Sequence, residues 1–185
     1  MPTLFPEEAK SIIEALLFVC SEPLTAKEIA EIAGLEEQDV LALLKEVRAD
    51  CEKSMRGFCL AEIAGGFVFT TRPEHAPYIE KLVKPRLSTL SQAALETLAI
   101  IAYQQPVTRS EIEEIRGVKC DSALNTILER GLIEEAGRKE APGRPILYKT
   151  TDGFLKYMGL RSLADLPSLK ENKPESDEEA SENAG

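Results

Sequence analysis

The sequence predicts a mostly α-helical α+β protein: two winged-helix units in tandem, each ending in a small β-hairpin wing. A capping-box tetrapeptide occurs twice, each time two residues after a proline. The glycine and apolar positions that follow it recur at a fixed offset. In each copy the apolar period switches from helical to extended after the third helix.

In the first copy, Ala9, Ile12, Ile13, Leu16, Leu17 and Cys20 fall on one helical face. Ser21-Glu22-Pro23 ends this helix, because proline and the residue before it resist helical geometry. Thr25-Ala26-Lys27-Glu28 then opens a short second helix, in which threonine oxygen and glutamate carboxylate satisfy backbone donors with no helical partner. Gly34 is placed to cap its end. Val40, Leu43, Leu44, Val47 and Cys51 mark a third helix. Residues 58–63 and 67–71 read as strands joined through Ala64-Gly65-Gly66. A helix over 74–83 closes the unit, with Pro77 in its first turn, where a missing N–H does no harm.

The same order then repeats. Ser91 caps a helix through Tyr103 that ends at Gln105-Pro106, and Thr108-Arg109-Ser110-Glu111 is the second capping box. Ile112, Ile115, Gly117 and Val118 match Ile29, Ile32, Gly34 and Leu35 at an offset of 83. After one inserted residue, Leu124, Ile127 and Leu128 match Val40, Leu43 and Leu44 at 84. Strands over 132–135 and 146–150 bracket a Gly/Pro-containing loop, and a helix over 153–160 closes the copy. The expected organisation is therefore a first unit over 1–83, a second over 84–169 that begins with a short linker, and a disordered acidic tail over 170–185.

The formal net charge is -10, and the tail, with six acids against two lysines, carries -4 of it. A body of that sign repels phosphate, whose attraction to Lys and Arg supplies most non-specific DNA affinity. The first copy opens the helix that would enter a major groove with Glu36-Glu37-Gln38-Asp39, which suits the helix dipole but not DNA. The second copy offers Lys119, Asp121, Ser122, Asn125 and Arg130, a nearly neutral set. Arg138, Lys139 and Arg144 surround Pro142-Gly143 in the second wing. They read either as a surface for phosphate or an acidic peptide, or as the solvated tip of a hairpin.

Catalytic signals are missing. His75 is the only histidine, and no cysteine or carboxylate pair is placed to make a triad or ligand set with it. No phosphate-loop pattern occurs, so neither an enzyme nor a metal site is expected. Cys20, Cys51, Cys59 and Cys120 are scattered and read as reduced thiols. With no signal-peptide pattern and no apolar run long enough to span a bilayer, a cytoplasmic protein is expected. Residues 93–103 are apolar on almost every side, and the first helix has a broad apolar arc that takes in Phe18 and Val19. Both could be covered by the core or by a partner.

Several strings resemble a known family: residues 94–103, Gln105-Pro106-Val107-Thr108-Arg109-Ser110-Glu111-Ile112 and Ile115-Arg116-Gly117-Val118. So do Arg130-Gly131-Leu132-Ile133, Gly143-Arg144-Pro145 with Tyr148, and Thr150-Thr151 leading to Phe154-Leu155. Over about residues 6–169 the chain is similar to the segregation and condensation protein B (ScpB) family. The resemblance implies tandem winged helices in a non-enzymatic, nucleoid-associated scaffold subunit of a bacterial condensin-like complex for chromosome condensation and segregation. It implies a homodimer formed largely through the first unit, binding to the kleisin ScpA, and contact through that kleisin with the heads of the SMC ATPase. No cofactor is implied, since ATP belongs to the SMC partner.

On that resemblance the expected kleisin contacts are Tyr103, Gln105, Arg109, Glu113, Arg116, Arg144 and Tyr148, since Tyr and Arg are frequent interface anchors. The competing reading is that Arg109, Arg116 and Arg144 pair with local acids to brace the wing. Ile13, Leu16, Leu17 and Phe18 are the expected dimer residues, and Arg138, Lys139 and Arg144 the candidate DNA contacts within the complex. The alternative function is a winged-helix transcription regulator, which predicts tight, salt-sensitive duplex binding by the protein alone.

Overall fold

A computed structural model of the chain describes residues 5–83 and 90–168. Of the expected linker, 84–90, only Leu90 is described, and it is buried in the second core; the acidic tail at 170–185 lies outside the described residues.

The first unit runs α1 (Pro6–Val19), α2 (Ala26–Ala33), α3 (Glu37–Lys53), β1 (Phe58–Ile63), β2 (Gly66–Thr71), a 3-10 turn (Pro73–His75) and α4 (Ala76–Val83). The second runs α5 (Gln92–Gln104), β3 (Val107–Thr108), α6 (Arg109–Arg116), α7 (Asp121–Glu129), β4 (Ile133–Arg138), β5 (Ile146–Thr150) and α8 (Asp152–Met158), then a 3-10 turn (Leu163–Asp165). These small antiparallel sheets on a mostly helical body are the predicted α+β winged-helix class.

Both capping boxes form. The Glu28 N–H donates to Thr25 Oγ1 at 3.2 Å, and Glu28 Oε2 accepts the Thr25 N–H at 2.7 Å. The Glu111 N–H donates to Thr108 Oγ1 at 3.4 Å, and Glu111 Oε2 accepts the Thr108 N–H at 2.8 Å. Gly34 (φ 68°) and Gly117 (φ 69°) end the two short helices in the left-handed region, where a side chain would be strained.

In the first wing β1 pairs antiparallel with β2, Leu60 facing Phe69 and Ile63 facing Gly66. Leu24 and Phe67 exchange both backbone hydrogen bonds, at 2.9 and 2.7 Å, so the segment before α2 adds a one-residue rung. This rung explains Gly66: a Cβ there would lie 2.9 Å from the Pro23 Cβ and clash. In the second unit the rung grows into β3, with Val107 opposite Tyr148, giving a three-stranded sheet in the order β3-β5-β4. Val107 is the residue 83 positions after Leu24, so the repeat extends to the sheet. Two residues carry no readable period, which is why sequence pattern alone yields only the hairpin.

Two hydrophobic clusters result. Ile13, Leu17, Ile29, Val40, Leu44 and Val47 centre the first. Leu98, Ile101, Ile112, Ile127 and Phe154 centre the second. The apolar α5 uses Ala94, Thr97, Leu98, Ile101 and Ala102 for the core, with Thr97 Oγ1 donating to the Ala93 carbonyl at 2.8 Å, while Leu95 is left exposed. The units touch where the Ala64 N–H donates to the Leu160 carbonyl at 2.9 Å and Lys156 Nζ meets Glu22 Oε2 at 2.6 Å.

The second wing is tied to α6. Lys139 Nζ donates to Glu111 Oε1 at 2.5 Å, on the carboxylate that also serves the capping box. Lys139 first, then the Thr108 N–H and hydroxyl, pull the Glu111 carboxyl from its ordinary 4.5 down to about 2.

Two predictions follow from this packing. Ile127→Ala, at a fully buried position, should cost about 3 kcal/mol in denaturant unfolding, whereas Ile115→Ala, at 57% exposure, should stay within about 0.5 kcal/mol. Because the Glu111 carboxyl is depressed, its contribution is complete above about pH 4.5 and lost as pH falls through about 2. In carbon-detected NMR titration, Lys139→Ala should move that midpoint upward, while the stability change stays under about 1 kcal/mol because the pair is exposed.

Candidate functional site

The α5–α6–α7 face of the second unit holds most of the sequence-predicted partner residues, and the fold gives them internal partners. The capping box sets the direction of α6, which brings Arg109, Glu113 and Arg116 onto successive turns. Arg109 Nε donates to Glu113 Oε1 at 2.9 Å, and the same guanidinium meets Asp121 at the start of α7. Glu113 Oε1 also accepts the Cys120 N–H at 3.2 Å. The guanidinium, then that N–H, hold the Glu113 carboxyl below the ordinary range. This is a staple across the helix-turn-helix, made from three charged side chains and the Cys120 backbone N–H.

Arg116 is the more buried of the two arginines, its side chain only 9% exposed, with Nη2 donating to Glu96 Oε2 on α5 at 3.2 Å. Its Nε is buried and finds no hydrogen-bond partner among the described residues. Gln105 Oε1 accepts from the Thr150 N–H at 2.7 Å and from the Thr150 hydroxyl at 2.9 Å, which joins the end of α5 to the end of β5. The Tyr103 hydroxyl donates to the Pro167 carbonyl at 2.7 Å.

The bracing reading therefore describes Arg109 and Arg116. Tyr148 lies in the second core at 8% exposure, and burial pushes its hydroxyl pKa up. Arg144 is exposed at the wing turn and makes no ion pair among the described residues. Of the other wing bases, Lys139 is held by Glu111, and Arg138 donates to the Arg144 carbonyl at 3.1 Å. Glu134 pairs with Lys149 at 3.0 Å on the same hairpin. The wing is thus a mixed-charge surface and not a basic one.

The expected dimer residues divide. Ile13 and Leu17, at 0% and 2% exposure, belong to the protomer core. Leu16 is half-buried, and Phe18 is 83% exposed. Sequence reasoning missed two further features of the first unit. An open groove of about 590 Å³ lies between α1 and α2, lined by Ile12, Leu16, Val19, Leu24 and Ile32 among others. On α4, Tyr78, Leu82 and Val83 all face solvent. The breadth of the α1 arc signalled the first, since a core needs only part of it; nothing in the sequence distinguished α4 from a packed helix.

The start of α3 is a shallow depression lined by Glu36, Glu37, Gln38 and Asp39, all exposed, which carries the wrong charge for phosphate. Among the described residues no cluster of three His, Cys, Asp or Glu is placed to hold a metal ion. No helix among them is long and apolar enough to cross a membrane.

The family model for the segregation and condensation complex subunit ScpB matches residues 11–169. Segregation and condensation protein B of Symbiobacterium thermophilum is 59% identical over 161 residues, covering 87% of this chain and 74% of that protein. Its counterpart in Brevibacillus brevis is 56% identical over 163 residues, covering 87% and 84%. Among solved structures, ScpB from Mycobacterium tuberculosis is 38% identical, covering 85% of this chain and 99% of that one, with a TM-score of 0.43. A dimer of an ScpB N-terminal domain complexed with an ScpA peptide is 41% identical, covering 42% and 96%, with a TM-score of 0.40. The chain belongs to the ScpB family of segregation and condensation complex subunits.

Proposed function

We propose that the protein is a non-enzymatic scaffold that binds the kleisin ScpA within an SMC–ScpA–ScpB complex, acting in chromosome condensation and segregation from the cytoplasm. Family membership over residues 11–169 carries this reading. The surface supports it. Apolar side chains stand in solvent on both units, Phe18, Val19 and Ile32 on the first and Ile115 and Val118 on the second. An exposed apolar patch on an otherwise charged protein marks an interaction site. The helix that a DNA reader would insert begins with acids in the first unit, and in the second its Asp121 is engaged by Arg109. That arrangement opposes tight duplex binding by the protein alone. Contact with the SMC heads then passes through the kleisin, and contact with DNA arises only weakly or inside the assembly, through Arg138, Lys139 and Arg144.

Within the kleisin surface, Arg144 serves as an anchor and Tyr103 as a flanking contact, whereas Arg109, Glu113, Arg116 and Gln105 position the face. The protein acts as a homodimer joined through its first unit, so one assembly presents two such faces and raises the effective concentration for a second contact.

Light scattering on the protein mixed with ScpA should show a stable complex. A duplex-DNA titration of the protein alone at about 0.15 M salt should show no binding tighter than the micromolar range typical of non-specific contacts. Tight duplex binding without ScpA uptake would replace the scaffold reading with the transcription-regulator one. Arg144→Glu should weaken ScpA binding at least about tenfold, or about 1.4 kcal/mol, with an unchanged melting profile. Arg109→Glu should lower stability as well, because Glu113 and Asp121 lose their shared cation.

A further inference from the structure

We infer that the turn of the first wing is a reversible latch between the two units. By gripping the end of α8 it holds them at one angle, and by letting go it frees the second unit to reorient.

The turn has an unusual residue for its shape. Ile63 pairs with Gly66, so Ala64 and Gly65 alone reverse the chain, and both have positive φ, 50° and 73°. In a two-residue hairpin turn of that kind the first place normally goes to Asn, Asp or Gly. Alanine is strained there, because its Cβ crowds the following carbonyl oxygen. The hydrogen bond of such a turn joins its first and fourth residues and leaves the second N–H unused. The Ala64 N–H donates instead to the Leu160 carbonyl of the second unit, at 2.9 Å. A strained residue persists where its surroundings hold it, and at Ala64 part of that hold is the other unit.

The acceptor is rigid. Helix α8 ends at left-handed Gly159 (φ 67°), and the Leu160 N–H returns to the Leu155 carbonyl at 2.9 Å. The Leu160 side chain packs against the second core. A bond to its carbonyl therefore fixes the wing relative to the whole second unit. A second contact comes from the segment that adds the rung to the first sheet: Glu22 Oε2 meets Lys156 Nζ on α8 at 2.6 Å. Glu62, two residues before Ala64, also acts electrostatically on Arg161.

The hold is weak enough to reverse. The side chains of Lys156 and Glu22 are 44% and 67% exposed, so salt screens their attraction. A backbone hydrogen bond traded against water, with an exposed ion pair, favours the closed arrangement roughly tenfold. Contacts between domains permit motion unless they are large and apolar. A partner that binds the open arrangement about a hundredfold better turns that bias into about tenfold for open.

Amide hydrogen exchange of the full-length protein, read residue by residue by NMR, tests the latch. Among the described residues the Leu160 carbonyl is the acceptor for the Ala64 N–H, so protection of that amide reports closure. At about 0.05 M salt it should exchange roughly tenfold slower than an unprotected amide, and at about 0.5 M salt at least about twofold faster than at low salt. Glu22→Lys, which sets two lysines together, should cut the protection at least about threefold, and adding Lys156→Glu should restore it. The amides of Ala61 and Val68, opposite each other in the same hairpin, should not change in either variant, which separates opening from unfolding. An unprotected Ala64 amide in the wild type would overturn the latch. So would protection that Glu22→Lys leaves intact, or a loss that the charge swap fails to restore.

Discussion

In both units a threonine accepts the backbone N–H of a glutamate three residues on, and that glutamate reaches back to the threonine N–H. The pair of bonds fixes where the second helix begins, and a left-handed glycine fixes where it ends. Helix two is thereby laid across helix one at one angle, helix three is steered over both, and the chain leaves helix three aimed at its wing. In the second unit the same carboxylate also receives Lys139 from the wing, so cap and wing share one charge. Losing it would loosen the helix-turn-helix and the hairpin together.

What that geometry leaves outside the cores is what the protein offers to others. A unit of about eighty residues closes on one face of each helix, and at this size a large fraction of the apolar surface stays wet. On α1 the core takes Ala9, Ile13 and Leu17, which leaves Phe18 and Val19 outside. On the α5–α6 side it takes Leu98 and Ile112 and leaves Leu95, Ile115 and Val118. The charged side chains between these patches hold one another: Arg109 with Glu113 and Asp121, Arg116 with Glu96, Lys139 with Glu111. Such a surface fits apolar partner segments better than phosphate.

The sequence made the helices, both caps and the first-wing strands readable because each rests on local chemistry. A threonine, a glutamate three residues later and a glycine beyond the last apolar position suffice to place α2 and α6. The β3 rung was not readable, since Val107 and Thr108 acquire strand character only from Tyr148 and Leu147 across the sheet. The candidate site was readable in its residue types but not in their roles. Arg109 and Arg116 look like free anchors until folding brings Asp121 and Glu96 beside them. Tyr148 looks like an amphipathic contact until β5 turns it inward. On α1 the helical period gives the arc but not the half of it that the core uses, because that choice belongs to α2 and α3.

If the protein works by offering apolar surface to protein partners, calorimetric titration of ScpA into the full-length protein, at several temperatures and two salt concentrations, should give a clearly negative heat-capacity change. The affinity should move little between about 0.1 and 0.5 M salt. A heat-capacity change near zero, with binding that collapses as salt rises, would mean that the contact is ionic instead.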